Sequence, residues 1–323
     1  MPFNSLIGRA DAAALIPEDA AMDIIKSVPE TSAVMRLARR LTNMSSAQRR
    51  LPIMNALATA YFVSGDTGLK QTSEVSWANK YIDAEELAVI VPIPEAVLDD
   101  NSFDIWSEVR PALVEAFGIA IDQAVLYGTN IPASWTTNLG AAGLVALATA
   151  AGNTVSAAAF ADLYEAIMGE AANGTDGLLM TLEADGYVAT GHVAHVSMRG
   201  KLRNTRSTVG EPLFKANMQD STRFDLDGAP IYFPTNGAIN AASSLLVSGQ
   251  WDQLVYAIRQ DITYKILDQA VIQDAAGNTI YNLAQQDMVA LRAVMRLGFA
   301  LPNPINRMQA TAANRAPFAV LTA

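Results

Sequence analysis

The chain contains no cysteine. That absence excludes a disulfide scaffold, a thiolate zinc site, an iron–sulfur cluster and a cysteine nucleophile, and it fits either redox compartment. Histidine is almost as scarce, with His192 and His195 the two in 323 residues. Their spacing would place both on one helix face. A zinc site needs three or four ligands, however, and no suitable carboxylate follows at motif spacing. Positive charge is also in deficit: 22 Lys+Arg stand against 32 Asp+Glu, a net charge of −10. Such a balance disfavours non-specific duplex binding, which depends on neutralising phosphates. Nowhere do 18 apolar residues run unbroken, and the Ala/Gly-rich stretch Leu139 to Ala151 is too short to cross a bilayer. The N-terminus has no basic region leading into an apolar core, so no signal peptide and no membrane partner are expected.

Catalytic signatures are missing too. The sequence holds no G-x-x-x-x-G-K-[ST], no G-x-G-x-x-G and no G-x-S-x-G. The carboxylate pairs Glu85/Glu86 and Asp99/Asp100 are adjacent in sequence, so their side chains diverge and suit strand ends or helix caps better than an acid/base dyad. No catalytic residue, cofactor or metal is expected, and a homo-oligomeric enzyme is a disfavoured reading.

What the chain does have is apolar material: 51 % hydrophobic residues, with Ala about a sixth of the total. Its length suits two substantial units or one with long extensions. Residues 1–50 read as an arm. Pro17 and Pro29 bound one short helical stretch; Thr31 or Ser32 could cap a second, with Val34, Leu37, Ala38 and Leu41 as its apolar stripe. Arg36, Arg39, Arg40, Arg49 and Arg50 surround that stripe, either as a solvated face or as a basic arm touching an acidic neighbour or nucleic acid.

From residue 51 the period changes to two. Val75, Trp77, Asn79 and Tyr81 share a face, and Leu87, Val89, Val91 and Ile93 repeat the pattern. Ser64-Gly65-Asp66-Thr67-Gly68 reads as a turn, giving a long two-stranded hairpin. Such a hairpin is not stable alone and must lie on something. Asn101 or Ser102 then caps the longest helical pattern, carried by Trp106, Val109, Leu113, Phe117, Ala120 and Ala124. Asp104, Glu108, Glu115 and Asp122 fall off that stripe, Pro111 should kink or break the helix, and Gly128 stops it. Residues 139–153 read as a connector. Beyond it, Phe160 to Ala171 reads as a helix, Gly177–Thr181 as a buried strand, and another helix ends near Leu202. Residues 199–228 are loop-rich and basic at Arg199, Lys201, Arg203 and Arg206. Extended runs follow at 229–233, 245–247, 253–259, 263–267 and 289–297. Helices and strands come in blocks, which makes the fold α+β.

One construction joins these pieces: arm, long hairpin, Val91-Pro92-Ile93-Pro94-Glu95, Leu98-Asp99-Asp100, and a long helix to Asp122-Gln123-Ala124-Val125-Leu126-Tyr127-Gly128. It resembles the major capsid proteins of tailed bacteriophages, the Hong Kong 97 type. Leu226-Asp227-Gly228-Ala229-Pro230-Ile231, Gly249-Gln250-Trp251 with Ala257 to Ile262, and Ala290 to Gly298 extend the resemblance over roughly residues 20–310. It implies an arm (1–50), an extended loop (51–93), a peripheral domain with a spine helix (94–151), an axial domain (152–255), and a return to the peripheral domain with a C-terminal segment (256–323).

The resemblance also implies a shell built from hexamers and pentamers of this chain, enclosing double-stranded DNA in a virion assembled in the host cytoplasm. A portal protein and, on some particles, a decoration protein are the further implied partners. With the hairpin beginning by residue 51, no long scaffolding extension precedes it, so a separate scaffolding protein is expected. Candidate inter-subunit contacts are Arg36, Arg39 and Arg40 on a neighbour's acidic spine helix (Glu108, Glu115), with Trp77 as hairpin anchor. Some members seal the shell through a Lys–Asn bond assisted by a Glu. Lys70 lies near the hairpin tip and Asn278 and Asn282 in the returning segment, but no Glu follows Glu211, so a non-covalent shell is expected. The nearest rival is an encapsulin-like nanocompartment, which shares the fold.

Overall fold

The computed structural model describes residues 31–63, 68–100, 105–140, 142–170, 174–205 and 225–323, without the side chains of Asp100 and Glu108. The helix expected between Pro17 and Pro29, the Ser64–Thr67 turn, and the caps Asn101 and Ser102 lie outside the described residues, as do Ala171 and Arg206.

Ser32 is the cap of the second arm helix: its hydroxyl accepts from the Met35 amide and opens α1 (Ala33–Leu37). This helix is shorter than its apolar stripe suggested. Beyond Leu37 the backbone turns extended, and β1 (Arg39–Arg40) pairs in parallel with β10 (Val255–Leu267). The Arg39 and Leu41 amides donate to the Leu254 and Tyr256 carbonyls, so an open sheet edge captures donors that a further helical turn would have used internally. Ala33, Val34, Ala38 and Met44 are buried in the chain's own core. The described part of the arm therefore packs into the core of its own subunit.

The hairpin consists of β2 (Gln48–Ala56) and β3 (Ser76–Asp83), antiparallel from Gln48↔Asp83 to Ala56↔Ser76. The next alternating run, β4 (Glu85–Pro94), leaves it and pairs with β13 (Met288–Ala300) from Glu85↔Leu297 to Pro94↔Met288. The projecting loop thus ends near buried Ala84 rather than at residue 93. A two-stranded ribbon and an edge strand of a larger sheet share the same period, which is why the pattern read as one object. The four-stranded sheet runs β1-β10-β13-β4. In β10, the two runs read at 253–259 and 263–267 are one strand with register shifts after Ile258 and Gln260. A small hairpin, β11 (Val271–Gln273) with β12 (Thr279–Asn282), lies between β10 and β13.

After α2 (Glu95–Asp100), α3 (Ile105–Tyr127) runs 23 residues through Pro111 without interruption. Leu113, Phe117, Ile121 and Val125 are buried and join the core over the four-stranded sheet. The expected connector is helical instead, as α4 (Ala133–Leu139) and α5 (Gly143–Ala151). Its Ala-rich composition favours helix, and Leu139, Leu144 and Ala148 have a core to fill. Gly143 has a reason to be glycine: its φ is +77° and a Cβ would stand 2.6 Å from the Leu126 carbonyl oxygen.

The second unit is a six-stranded sheet ordered β5 (Thr154–Ser156), β14 (Phe318–Thr322), β9 (Leu246–Gly249), β6 (Gly191–Ala194), β8 (Ala229–Tyr232), β7 (Asp225–Leu226). The helices α6 (Leu163–Met168), α7 (Leu178–Ala184) and α8 (Val196–Asn204) lie in the same part of the chain. Gly177–Thr181, read as a strand, opens α7: a short apolar run carries no period to separate the two, and Leu178 and Leu182 are buried one turn apart. The returning segment is divided. β10 and β13 belong to the four-stranded sheet, whereas β14 enters the middle of the other, between β5 and β9. Trp251 meets Phe318 edge-on, with ring centroids 5.1 Å apart, at this junction.

Candidate functional site

Side chains alternate along a strand, and directly opposed residues share a face. In the hairpin, Ala78, Lys80 and Ile82 turn inward while Trp77, Asn79 and Tyr81 turn outward. Met54 stands opposite Trp77, and Arg50 opposite Tyr81. The outer face therefore presents Met54, Trp77 and Tyr81 together, with Trp77 69 % exposed. Beyond the last ladder pair the tip narrows through side-chain bonds: the Thr59 amide donates to Ser73 Oγ at 2.8 Å, and the Tyr61 hydroxyl to the Gln71 carbonyl at 3.0 Å. Tyr61, Phe62, Val63 and Leu69 are exposed here, Phe62 completely. Lys70 is exposed beside them.

The base of the hairpin is fixed. Trp135 Nε1 donates to the Asp83 carbonyl at 2.9 Å and Asn138 Nδ2 to the Tyr81 carbonyl at 2.7 Å. β13 crosses beneath at Gly298, where a Cβ would stand 2.5 Å from the Asp83 oxygen. Lys80 Nζ donates to the Leu301 carbonyl at 3.2 Å, and burial, with Arg315 nearby, holds its pKa below the ordinary lysine range. An anchored base thus carries an apolar outer face and tip that its own subunit leaves uncovered.

The other sequence candidates are dispersed. The Arg36 guanidinium lies 4.6 Å from the centre of the Tyr232 ring, which ties the arm to the six-stranded unit. Arg39 lines a cavity of about 500 Å³ with Leu51, Met54, Pro302 and Pro304. Arg40 donates to Asn43 Oδ1 at 3.2 Å. Glu115 is half-buried on α3, and Glu108 lies in α3 with its side chain outside the described residues. Asn278 donates to Asp274 Oδ2 at 3.0 Å, and Asn282 to Gln285 Oε1 at 2.8 Å.

Asp122 falls off the apolar stripe of α3, yet it is fully buried. Its carboxylate accepts from the Ser32 hydroxyl, from the Ala33 amide at 3.0 Å and from the Val34 amide at 3.1 Å. Burial raises its pKa above the ordinary aspartate value, and these three donors work against that rise. It lies on a second buried face of α3, four after buried Gly118 and three before buried Val125, which the arm helix α1 covers.

The histidines do not share a helix. His192 sits in β6, with Nδ1 2.7 Å from Ser248 Oγ and Nε2 3.0 Å from the Leu226 carbonyl. A carbonyl only accepts, so Nε2 carries the proton and Nδ1 accepts from Ser248. Burial lowers the His192 pKa to about 4, opposed by the Leu226 bond and Asp227. His195 caps α8 by accepting from the Ser197 amide. Among the described residues, no three His, Asp or Glu form a group that could hold a metal ion. Among those residues, too, no helix is long and apolar enough to cross a membrane.

Comparison with known proteins gives a consistent answer. The description of the phage capsid family matches residues 12–307. The major capsid protein of Staphylococcus phage 80alpha is 27 % identical over 277 residues, covering 85 % of this chain and 78 % of that one. A solved chain from Microbacterium phage Oxtober96 superposes with a TM-score of 0.81 at 32 % identity, covering 98 % of this chain and 99 % of that one. One from Mycobacterium phage Adephagia gives 0.78 at 30 % identity, covering 98 % of each.

Proposed function

This chain belongs to the phage capsid family, and from that premise we propose how it builds a shell. It is a major capsid protein of a tailed phage, with the Hong Kong 97-type α+β fold: a structural component of the virion that self-assembles and is not an enzyme. The nanocompartment reading is not favoured, since the family and the relatives are those of phage capsids.

In the proposed assembly, copies of the chain associate as hexamers and pentamers into a closed icosahedral head around double-stranded DNA, in the host cytoplasm. A separate scaffolding protein guides them and a portal protein occupies one vertex. A decoration protein is a further proposed partner on the outside. The residues from about 51 to 83 act as the overlapping loop, the four-stranded sheet with α3 as the peripheral domain, and the six-stranded sheet as the axial domain. Net negative charge suits this role, because a strongly cationic wall would hold the genome by counterion release and oppose dense packing and ejection.

The observation that carries the mechanism is the hairpin's outer face. Met54, Trp77, Tyr81 and the tip residues Phe62 and Leu69 form an apolar surface that the folded subunit leaves in solvent. Exposed apolar surface of this kind marks an interaction site. Replacing residues 57–75 with a short Gly/Ser linker tests it: the subunit should still unfold cooperatively, while closed shells fail to form in electron micrographs. Normal shells from the shortened chain would sink the mechanism.

A further inference from the structure

The stretch 301–317 connects β13 to β14 and has almost no regular structure of its own, yet it bonds at both sides along its length. Toward the hairpin, the Leu301 carbonyl accepts from Lys80 Nζ at 3.2 Å and the Ile305 amide donates to the Met54 carbonyl at 3.3 Å. Further out, Arg307 Nη2 donates to the Ala58 carbonyl at 2.7 Å, past the end of β2. Toward the six-stranded unit, Asn303 Oδ1 accepts from the Tyr187 hydroxyl at 2.9 Å and Asn306 Nδ2 donates to the Asp185 carbonyl at 2.7 Å. The Ala316 amide donates to Asp185 Oδ2 at 3.1 Å. Met308 covers Gly186 so closely that a Cβ there would stand 2.7 Å from the Met308 Cγ.

The stretch also holds its own shape. Arg315 is 5 % exposed, and its guanidinium donates to Asn303 Oδ1, to the Asn303 carbonyl and to the carbonyls of Gln309 and Ala310, at 2.9–3.2 Å. Asn303 Nδ2 returns a bond to the Arg315 carbonyl at 2.8 Å. One fixed guanidinium fork binding four oxygens closes residues 303–315 into a compact loop, and Pro302 and Pro304 stiffen its start.

We propose that residues 301–317 are a strap that sets the direction of the hairpin relative to the six-stranded unit, with Arg315 fixing the strap's shape and Arg307 and Asn306 as its positioning residues. Arg307 grips the hairpin side and Asn306 the opposite side, so the two form the ends of one mechanical link. A subunit that must place its hairpin on a neighbour at a fixed angle needs such a link, because the ladder ends at Ala56 and Ser76 and a two-stranded ribbon bends easily beyond it. This consequence for the shell rests on the capsid reading; the link itself does not.

The cysteine-free chain allows a direct test on the unassembled subunit. Spin labels on Thr72→Cys, in the hairpin, and Val188→Cys, in the six-stranded unit, report the distance between them by double electron–electron resonance. The strap predicts that Arg307→Ala and Asn306→Ala each broaden and shift the distance distribution, while Arg307→Lys, which keeps a donor, stays close to the parent. Thermal unfolding should be nearly unchanged in Arg307→Ala, because Arg307 is exposed and loses one bond. A distribution that is unaltered in both alanine variants would overturn the strap, whatever the same variants do to shell formation.

Discussion

Two buried polar residues hold the subunit's parts together. His192 is neutral in the fold, since burial lowers its pKa to about 4, whereas in the unfolded chain it titrates near its ordinary 6.5. The unfolded state therefore gains a proton first as pH falls, and stability is lost between about 6.5 and about 4, with no further loss below. The full effect is about 3 kcal/mol. His192→Gln should remove that slope, so the urea midpoint of the variant should fall less than the parent's between pH 7 and pH 4; parallel curves would contradict it. Asp122 anchors the arm through two backbone amides and the Ser32 hydroxyl. Asp122→Ala strands those donors and should cost about 3 kcal/mol in denaturant unfolding of the isolated subunit. Neither role was legible from residue type: an Asp on a helix and a lone His pair are usually surface features. Asp122 lies off the apolar stripe of α3 and is buried by the arm, and the strand position of His192 follows from pairing with β8 and β9; in both cases the partners are distant in sequence.

Among the elements, those with long regular periods were legible and those defined by partners were not. α3 and the β2–β3 ribbon stood out because each repeats one pattern for several turns or pairs. β5, β6 and β14 were invisible: each has three to five residues and no alternation, and only the sheet that assembles them makes them strands. The hairpin is also the element whose outer face has a function separable from folding. Trp77 contributes little to the lone subunit because it is mostly exposed, so Trp77→Ala should leave the subunit's melting temperature unchanged. In the assembled shell it should cost on the order of 2 kcal/mol per interface, seen as lower shell yield and an earlier shell-dissociation transition. A Trp77→Ala shell of parental stability would remove Trp77 as an anchor. The candidate arginines tell a different story. Arg36 is already engaged with Tyr232 of its own chain, which weakens its case as an inter-subunit contact, while Arg39 and Arg40 remain exposed at the sheet edge.

At the scale of the whole molecule, two sheets share one continuous arrangement in which the arm, the strap and β14 each tie one unit to the other. With no cysteine and no Glu beyond Glu211, the proposed shell is expected to be held by non-covalent contacts. Boiled particles should therefore run as one band near 34.4 kDa on denaturing gels; a ladder of multiples would contradict this, and Lys70 would be the first place to look for the link. The central claim is that the hairpin's outer face is completed by another copy of the chain. Cryo-electron microscopy of assembled particles tests it most directly. The account predicts closed icosahedral shells in which Met54, Trp77 and Tyr81 of each subunit are covered by a neighbour, with the base near Ala84 unchanged. Closed shells in which that face remains open to solvent, or folds back onto its own subunit, would contradict it.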